Sequence, residues 1–335
     1  MIRIALDAMG GDHAPRMQVE GAAMALRDLP AGFRIQLVGR TADIEAALAP
    51  FRDLDRDRIE IVEAPEHVGM GDKPLAAIRS KPRSSIMVGL GLQKADKSDA
   101  FISAGNTGAV MAASTLVLRL HPGVQRAAIG ALLPTATRPV LLLDAGANVD
   151  CAARELVGFA HLGTVYARDV LGRPDPTVGL LNIGEEDEKG SGAVKEAHQL
   201  LKTSTGLRYV GNVEGRDVPV GTARDGALDV VVCDGFVGNV VLKFYEAAAR
   251  VFVTLLRQEL PDVLQRPEMG AVLRILDYAT YGGAPLLGVR GVSIICHGSS
   301  PAPAICNAIR VAVQAVQSDL SQDIAVEFAQ GGAVA

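Results

Sequence analysis

The chain has 335 residues, 49% of them hydrophobic and only 4% aromatic with no tryptophan, and it carries a formal net charge of −5. That length suits one large α/β domain or two smaller ones, and the negative charge with so few rings for bases to stack on argues against a nucleic-acid partner. No apolar run reaches the ~20 residues needed to span a bilayer, and the N-terminus enters a strand directly, without a secretion-signal pattern.

From the N-terminus onward, short apolar runs recur at Ile2–Leu6, Ile35–Val38, Ile59–Val62, Ala100–Ser103, Val140–Leu143, Thr177–Asn182, Leu207–Gly211, Val230–Cys233 and Val292–Cys296. Hydrophobicity that is nearly continuous over so few residues marks strands covered on both faces. Alanine-rich helical patterns lie between them, at Val19–Asp28, Thr41–Leu48, Leu75–Ser80, Ala109–Val117, Glu155–Leu171 and Ala193–Thr203. This alternation predicts an α/β fold with a mostly parallel, helix-flanked sheet. No linker, repeat or low-complexity tract interrupts it, so a single domain over residues 1–335 is expected.

One stretch breaks the rhythm. A helical pattern runs from near Asn239 to about Leu260, is interrupted near Pro261 and Pro267, and resumes to about Asp277. It reads as a projecting αα-hairpin over about 239–278. Within it, Val251–Leu256 is apolar on every face of a helix, which predicts burial against protein, as in a dimer. A second reading sets the tip, Leu255, Leu256, Leu260, Val263 and Leu264, on a membrane surface, with Arg257 and Arg266 near anionic headgroups.

The four cysteines, Cys151, Cys233, Cys296 and Cys306, form no CxxC and are expected to be free, buried thiols. The six histidines show no metal-ligand spacing, so no metal site is expected. A P-loop and a G-x-S-x-G elbow are both absent. Gly89-Leu90-Gly91 imitates the start of a dinucleotide fingerprint but lacks its third glycine and sits inside a helical pattern.

The strand ends carry the chemistry. The first strand stops at Asp7, and the chain crosses Gly10-Gly11 into Asp12 and His13. Adjacent glycines let backbone N–H groups turn toward a ligand, and the histidine adds a switchable proton carrier. Ser103-Ala104-Gly105-Asn106-Thr107-Gly108 leads a helix whose first amides form an anion cradle, or whose polar residues cap it. Asp144 to Asn148 closes the next strand, and Asn182 to Gly190 another, in which Lys189 follows four acidic residues. Such a run reads as a solvated face, or as a turn holding one lysine for a phosphate-like group. Asp234 to Val240 places Asn239 at or near a helix start, as a cap or an oxyanion donor. His297-Gly298-Ser299-Ser300 closes the last strand. In a parallel sheet such loops gather at one end, where ligands bind.

Collected in order, nine segments make the chain resemble the bacterial phosphate acyltransferases of the PlsX family along almost its whole length. They are DAMGGDHAP (7–15), KPLAAIRSKPRSS (73–85), SAGNTGA (103–109), LLLDAGANVD (141–150), LLNIGEEDEKG (180–190), GNVEGRD (211–217), DGFVGNV (234–240), YGGAPLLG (281–288) and HGSS (297–300). Pro301-Ala302-Pro303 after HGSS, and Cys296 before it, depart from the usual pattern. The resemblance implies that inorganic phosphate displaces acyl carrier protein from a long-chain acyl thioester, giving acyl phosphate for phospholipid synthesis. It further implies a Rossmann-like α/β/α fold of the isocitrate/isopropylmalate dehydrogenase type, no cofactor, a homodimer, and peripheral attachment of a cytoplasmic protein to an anionic membrane. A membrane glycerol-3-phosphate acyltransferase would accept the product. The catalytic pair carries over onto Lys189 and Asn239. Substrate or phosphate contacts would come from Asp7, Gly10, Gly11, Asp12, His13, Ser103, Gly105, Asn106, Thr107, Gly108, Asp144, Asn148, His297, Gly298 and Ser299. The basic stretch Arg79–Arg83 could steer an acidic carrier protein.

Overall fold

The structure is a computed structural model describing residues 1–223, 226–276 and 281–330. In chain order it has β1 (Ile2–Asp7), α1 (Arg16–Asp28), β2 (Phe33–Gly39), α2 (Thr41–Leu48), β3 (Ile59–Glu63), α3 (Pro74–Ser80), α4 (Ser85–Lys94), β4 (Ala100–Ser103) and α5 (Thr107–Val117). Then come β5 (Ala128–Leu133), β6 (Val140–Leu143), α6 (Ala153–Asp169), β7 (Thr177–Leu181), α7 (Gly192–Thr203), β8 (Arg208–Val213) and α8 (Asp217–Val220). Two short strands, β9 (Thr222–Ala223) and β10 (Gly226–Ala227), precede β11 (Val230–Val232). The rest comprises α9 (Gly235–Glu259), α10 (Pro261–Leu264), α11 (Pro267–Leu276), β12 (Ala284–Leu287), β13 (Val292–Ile295), α12 (Ala302–Gln317) and α13 (Leu320–Ala329).

Where the sequence reading expects one domain, the chain falls into two compact units, Met1–Ala127 with Tyr281–Val326, and Ala128–Thr280 with Glu327–Ala335. In the first unit the strand order is β3-β2-β1-β4-β13-β12, and every neighbouring pair is parallel except β13/β12. Its strands are buried on both sides, with Ile4, Leu6, Ile35, Leu37 and Phe101 out of solvent. Helices α1 and α12 pack face to face, Gly21 lying against Ile305.

In the second unit the order is β5-β6-β11-β7-β8, parallel except β5/β6. Its core is the aliphatic ladder Leu141–Leu143 beside Val230–Val232, covered by Phe159, Leu162 and Tyr166 of α6. Each unit is therefore a mostly parallel, helix-flanked sheet, as the alternating pattern predicts. Within these two sheets, β5 and β12, each antiparallel to a neighbour, are not among the predicted runs. Their sequences, AIGALL and APLL, offer little β-branching and include Gly or Pro.

The helical hairpin is present, but it starts earlier than expected. Asp234, not Asn239, caps α9, its side chain accepting the Phe236 amide. Only Gly235 and Gly238 of the 25 residues in α9 are buried within the chain. Phe244, Val251, Phe252, Leu255 and Leu260 are all at least half exposed. Leu256, Val263 and Leu264 are half-buried. Among the described residues, no helix is long and apolar enough to cross a membrane.

Candidate active site

In the first unit, β1, β4 and β13 are adjacent and parallel, so the loops that follow them leave the same end of the sheet. Asp7 ends β1 and is buried. One carboxylate oxygen accepts the Met9 amide at 3.0 Å, and the other accepts the Ser103 hydroxyl at 2.7 Å. That hydroxyl in turn accepts the Gly105 amide at 3.0 Å. Burial pushes the Asp7 carboxyl above the usual carboxylate range, while hydrogen bonds from Ser85 and Ser103 oppose the shift. A Cβ at Gly10 would lie 2.5 Å from the Asp7 carboxylate and 2.7 Å from the Gly105 nitrogen, so only glycine lets these two loops touch. The Asp12 amide reaches the Gly298 carbonyl at 2.8 Å, bringing the third loop in.

Asn106 is the cap of α5. Its oxygen accepts the Ala109 amide, and its amide donates to the Met70 and Asp72 carbonyls. The candidate residues of this unit thus form one cluster, but with divided roles. Asp7, Gly10, Ser103, Gly105 and Asn106 are buried and shape the loops, whereas Asp12, His13, Thr107, His297 and Ser299 are exposed, and Gly11, Gly108 and Gly298 lie between these extremes. Beside them is a pocket of about 260 Å³ lined by Met9, Gly11, Arg40, His67 and Met70 among others. Arg40 and His67 approach to 3.4 Å there and were not singled out from sequence. The available signal was Arg40 directly after the Gly39 that ends β2.

In the second unit, β6, β11 and β7 are adjacent and parallel. Asp144, directly after β6, is fully buried. One oxygen accepts the amides of Ile129, Gly146 and Ala147, and the other accepts the backbone and side-chain N–H of Asn148. Burial raises its pKa above the ordinary value, with the Ala147 and Ile129 amides working against the shift. The first turn of α9 lies on this loop. At Gly238 a Cβ would fall 1.8 Å from the Asp144 carbonyl oxygen, so the helix can approach only with a bare backbone there. Asn239, one turn into α9 and exposed, stands over Gly146, whose own Cβ would be 3.2 Å from that of Asn239. Asn239 is therefore no cap, and its side-chain amide points from the second turn of the helix.

Lys189 lies on the loop after β7, the strand next to β11. The loop is internally braced. Asn182 donates to the Lys189 carbonyl at 3.1 Å, the Lys189 amide donates to the Glu186 carbonyl at 3.1 Å, and Asn212 of β8 donates to the same carbonyl at 3.1 Å. The acidic run that precedes Lys189 is partly engaged elsewhere, Glu185 with Arg216 and Asp187 with His198 and Lys202. The Lys189 ammonium is exposed and has no ion-pair or hydrogen-bond partner among the described residues. Lysine, side-chain amide and the Asn148 loop thus leave one end of three neighbouring strands, the arrangement expected of an anion site.

All four cysteines are free and buried. Desolvation pushes the thiols of Cys151 and Cys296 to about 12, that of Cys233 well above its ordinary value and that of Cys306 upward, so none is a thiolate at neutral pH. Among the described residues no cluster of three or more His, Cys, Asp or Glu side chains could hold a metal. The Gly89–Gly91 segment lies within α4, where Gly89 packs on the Phe101 ring, so it is not a strand-to-helix phosphate loop.

The profile of the family described as fatty acid synthesis protein matches residues 2–323. The chain is 49% identical to the phosphate acyltransferase of Nostoc punctiforme over 98% of this chain and 96% of that one. It is 50% identical to the phosphate acyltransferase of Desulforamulus reducens over 96% and 95%. Among solved structures, a phosphotransacetylase from Streptococcus pyogenes aligns with a TM-score of 0.65 at 16% identity, covering 95% of this chain and 94% of that one. A branched-chain phosphotransacylase from Enterococcus faecalis aligns at 0.60 and 13%, covering 94% and 99%. Both share its Rossmann-like α/β fold.

Proposed function

The chain belongs to the fatty acid synthesis protein family, and from that premise we propose that it is a phosphate acyltransferase whose acyl donor is a long-chain acyl-[acyl carrier protein]. The observation that carries the chemistry is the exposed Lys189, without a partner among the described residues, on the loop after β7, the strand next to the one that leads to Asn239. Phosphate is a dianion that must approach a carbonyl carbon. Lys189 holds it and offsets the repulsion, so attack occurs from a bound position. A phosphate oxygen bonds to the thioester carbon, and the carbonyl electrons move onto oxygen. The Asn239 amide donates to that oxyanion. Collapse expels the carrier thiolate, which takes up the proton released from phosphate, leaving acyl phosphate and free carrier protein. The reaction needs no enzyme nucleophile, and the buried, protonated cysteines agree with its absence.

The loops at Gly10–His13, Ser103–Gly108 and His297–Ser299 are proposed to bind substrate through backbone amides and exposed side chains. Asp7, Asp144 and Asn148 would act indirectly, by shaping the loops. Lys73, Arg79 and Arg83 are exposed and would attract an acidic carrier. The apolar surface of α9 to α11 supports a homodimer and peripheral attachment of a cytoplasmic enzyme to an anionic membrane. There a membrane glycerol-3-phosphate acyltransferase would take the reactive product.

The test is product formation. Purified protein given palmitoyl-carrier thioester and saturating phosphate should release carrier thiol and yield an acyl phosphate trapped by hydroxylamine. Thiol release without a trapped product would mean simple hydrolysis and would end the proposal, as would the absence of any turnover.

A further inference from the structure

The loop that carries Lys189 is tied to the body of its unit by a chain of side chains that the proposed reaction does not itself use. His198 and Lys202 are four residues apart on α7, hence on one face of the helix. Both reach the Asp187 carboxylate: the His198 Nε2 contacts one oxygen at 2.9 Å, and the Lys202 ammonium bonds the other. The opposite ring nitrogen, Nδ1, lies 2.6 Å from the Tyr209 hydroxyl of β8, and the two rings meet edge to face at 5.6 Å. His198 is buried at 2% exposure whereas Asp187 is 53% exposed. The imidazole therefore bridges the interior to the loop.

The protonation pattern follows from the partners. Lys202 first, and His198 second, hold the Asp187 carboxyl below its ordinary range, so it is an ionised acceptor. Facing that carboxylate, His198 Nε2 is the donor, and in the neutral ring Nδ1 is then the acceptor that meets the Tyr209 hydroxyl. Burial keeps that phenol protonated by pushing its pKa up.

We propose that the Tyr209–His198–Asp187 chain is a latch that positions Lys189 for phosphate. The inference rests on the reading of Lys189 given above. Asp187 lies between Glu186, whose carbonyl receives both the Asn212 side chain and the Lys189 amide, and Lys189 itself, whose carbonyl is held by Asn182. A free lysine on a mobile loop would have to be ordered at each binding event, and the latch removes that cost in advance. These are positioning residues, since none of them is placed against substrate.

Hydrogen exchange over residues 183–190 and steady-state kinetics test the latch together, in the full-length protein and in His198→Ala, Tyr209→Phe, Asp187→Asn, Lys189→Ala and the Lys189→Ala/His198→Ala double variant. Loss of the imidazole should quicken exchange in the loop. It should also raise the KM for inorganic phosphate roughly tenfold while leaving the KM for the acyl thioester within about twofold. Tyr209→Phe, which removes one oxygen and keeps the ring, should shift both readouts the same way but less, and it serves if His198→Ala does not fold. In the Lys189→Ala background, loss of His198 should add nothing to the phosphate KM. Unchanged exchange over 183–190 overturns the latch, and so does an equal kinetic penalty in both backgrounds. Faster exchange with a wild-type phosphate KM also overturns the positioning role. A Lys189→Ala protein with wild-type kinetics would instead strike the proposed role of that lysine, and the exchange data would still decide whether the loop is latched.

Discussion

Asp7 and Asp144 are the same device built twice, once in each unit. Each stands at the carboxyl end of a parallel strand, is buried, and gathers the glycine-containing loop that follows. Their donors differ. Asp7 receives serine hydroxyls as well as backbone amides, and a hydroxyl can turn from donor to acceptor. Among the described residues, the Asp144 carboxylate is seen to receive only N–H groups, which cannot. What stands on the two frames differs too: exposed Asp12 and His13 in the first unit, an exposed side-chain amide in the second. An oxyanion donor is effective when it is fixed before charge develops, so the role proposed for Asn239 calls for a fixed frame of the kind that the N–H donors around Asp144 provide.

The largest effect should come from the closest approach. Gly238→Ala forces a methyl to 1.8 Å from the Asp144 carbonyl oxygen, against 2.5 Å from a side-chain oxygen for Gly10→Ala. Thermal and urea unfolding should show Gly238→Ala losing about 4 kcal/mol and Gly10→Ala clearly less. Equal losses would mean that the two frames are equally stiff. Next in size is the chemistry. Lys189→Ala and Asn239→Ala should each lower kcat/KM by about 10²–10³, with Asn239→Ala acting mainly through kcat. His13→Ala, on the other frame, should act mainly through KM. A reversal of that split would move the reacting centre to the first unit.

Smaller, and aimed at the carboxylates themselves, is amide replacement. Asp144→Asn turns an NH₂ group against fixed N–H donors and should cost about 2–3 kcal/mol, whereas Asp7→Asn can donate to Ser103 and should cost about half of that. The pH profile gives an independent check. Both carboxyls have pKa values raised by burial. An acid with a raised native value binds its proton more tightly when folded. Its contribution is therefore full below the unfolded aspartate value of about 4 and fades as pH rises through the native one. Either Asn variant should flatten that slope in chemical unfolding followed from acid to neutral pH, and an unchanged slope would show that the carboxyl concerned is not the one titrating.

Much of this is legible in the sequence itself. Parallel strands declare themselves by aliphatic runs such as Val140–Leu143, and the turns by Gly, Asn and Asp at their ends, because backbone geometry there admits few residue types. The antiparallel strands β5 and β12 were hidden, since AIGALL and APLL look equally like buried loop or helix. The sequence leaves Asn239 open as a cap or an oxyanion donor, because Asp234 and Asn239 both resemble cap residues, and the Asp234 bond to the Phe236 amide decides which of them caps the helix. From spacing alone Lys189 reads either as part of a charged, solvated run or as one lysine held for a phosphate-like group. What distinguishes it is that Glu185 and Asp187 bond elsewhere, to Arg216, His198 and Lys202, which follow it by 27, 9 and 13 residues along the chain. Arg40 offers only its place after the glycine that ends β2, and His67 offers no pattern, since their meeting depends on tertiary contact.

The smallest effect on folding should come from the part of the second unit that has no counterpart in the first. Leu255 and Leu260 are each 51% exposed on the α9 hairpin, so changing both to Gln removes little burial within the chain and should alter unfolding by about 0.5 kcal/mol or less. If the hairpin serves only to complete the fold of this unit, nothing else should change. If its apolar face meets lipid, the same variant should float poorly with anionic vesicles while turning over soluble substrate normally, because the frames around Asp7 and Asp144 do not depend on it. A large loss of stability would show instead that these leucines belong to a packed core, and equal flotation by variant and parent would remove the membrane from the account while leaving the phosphate chemistry where it stands.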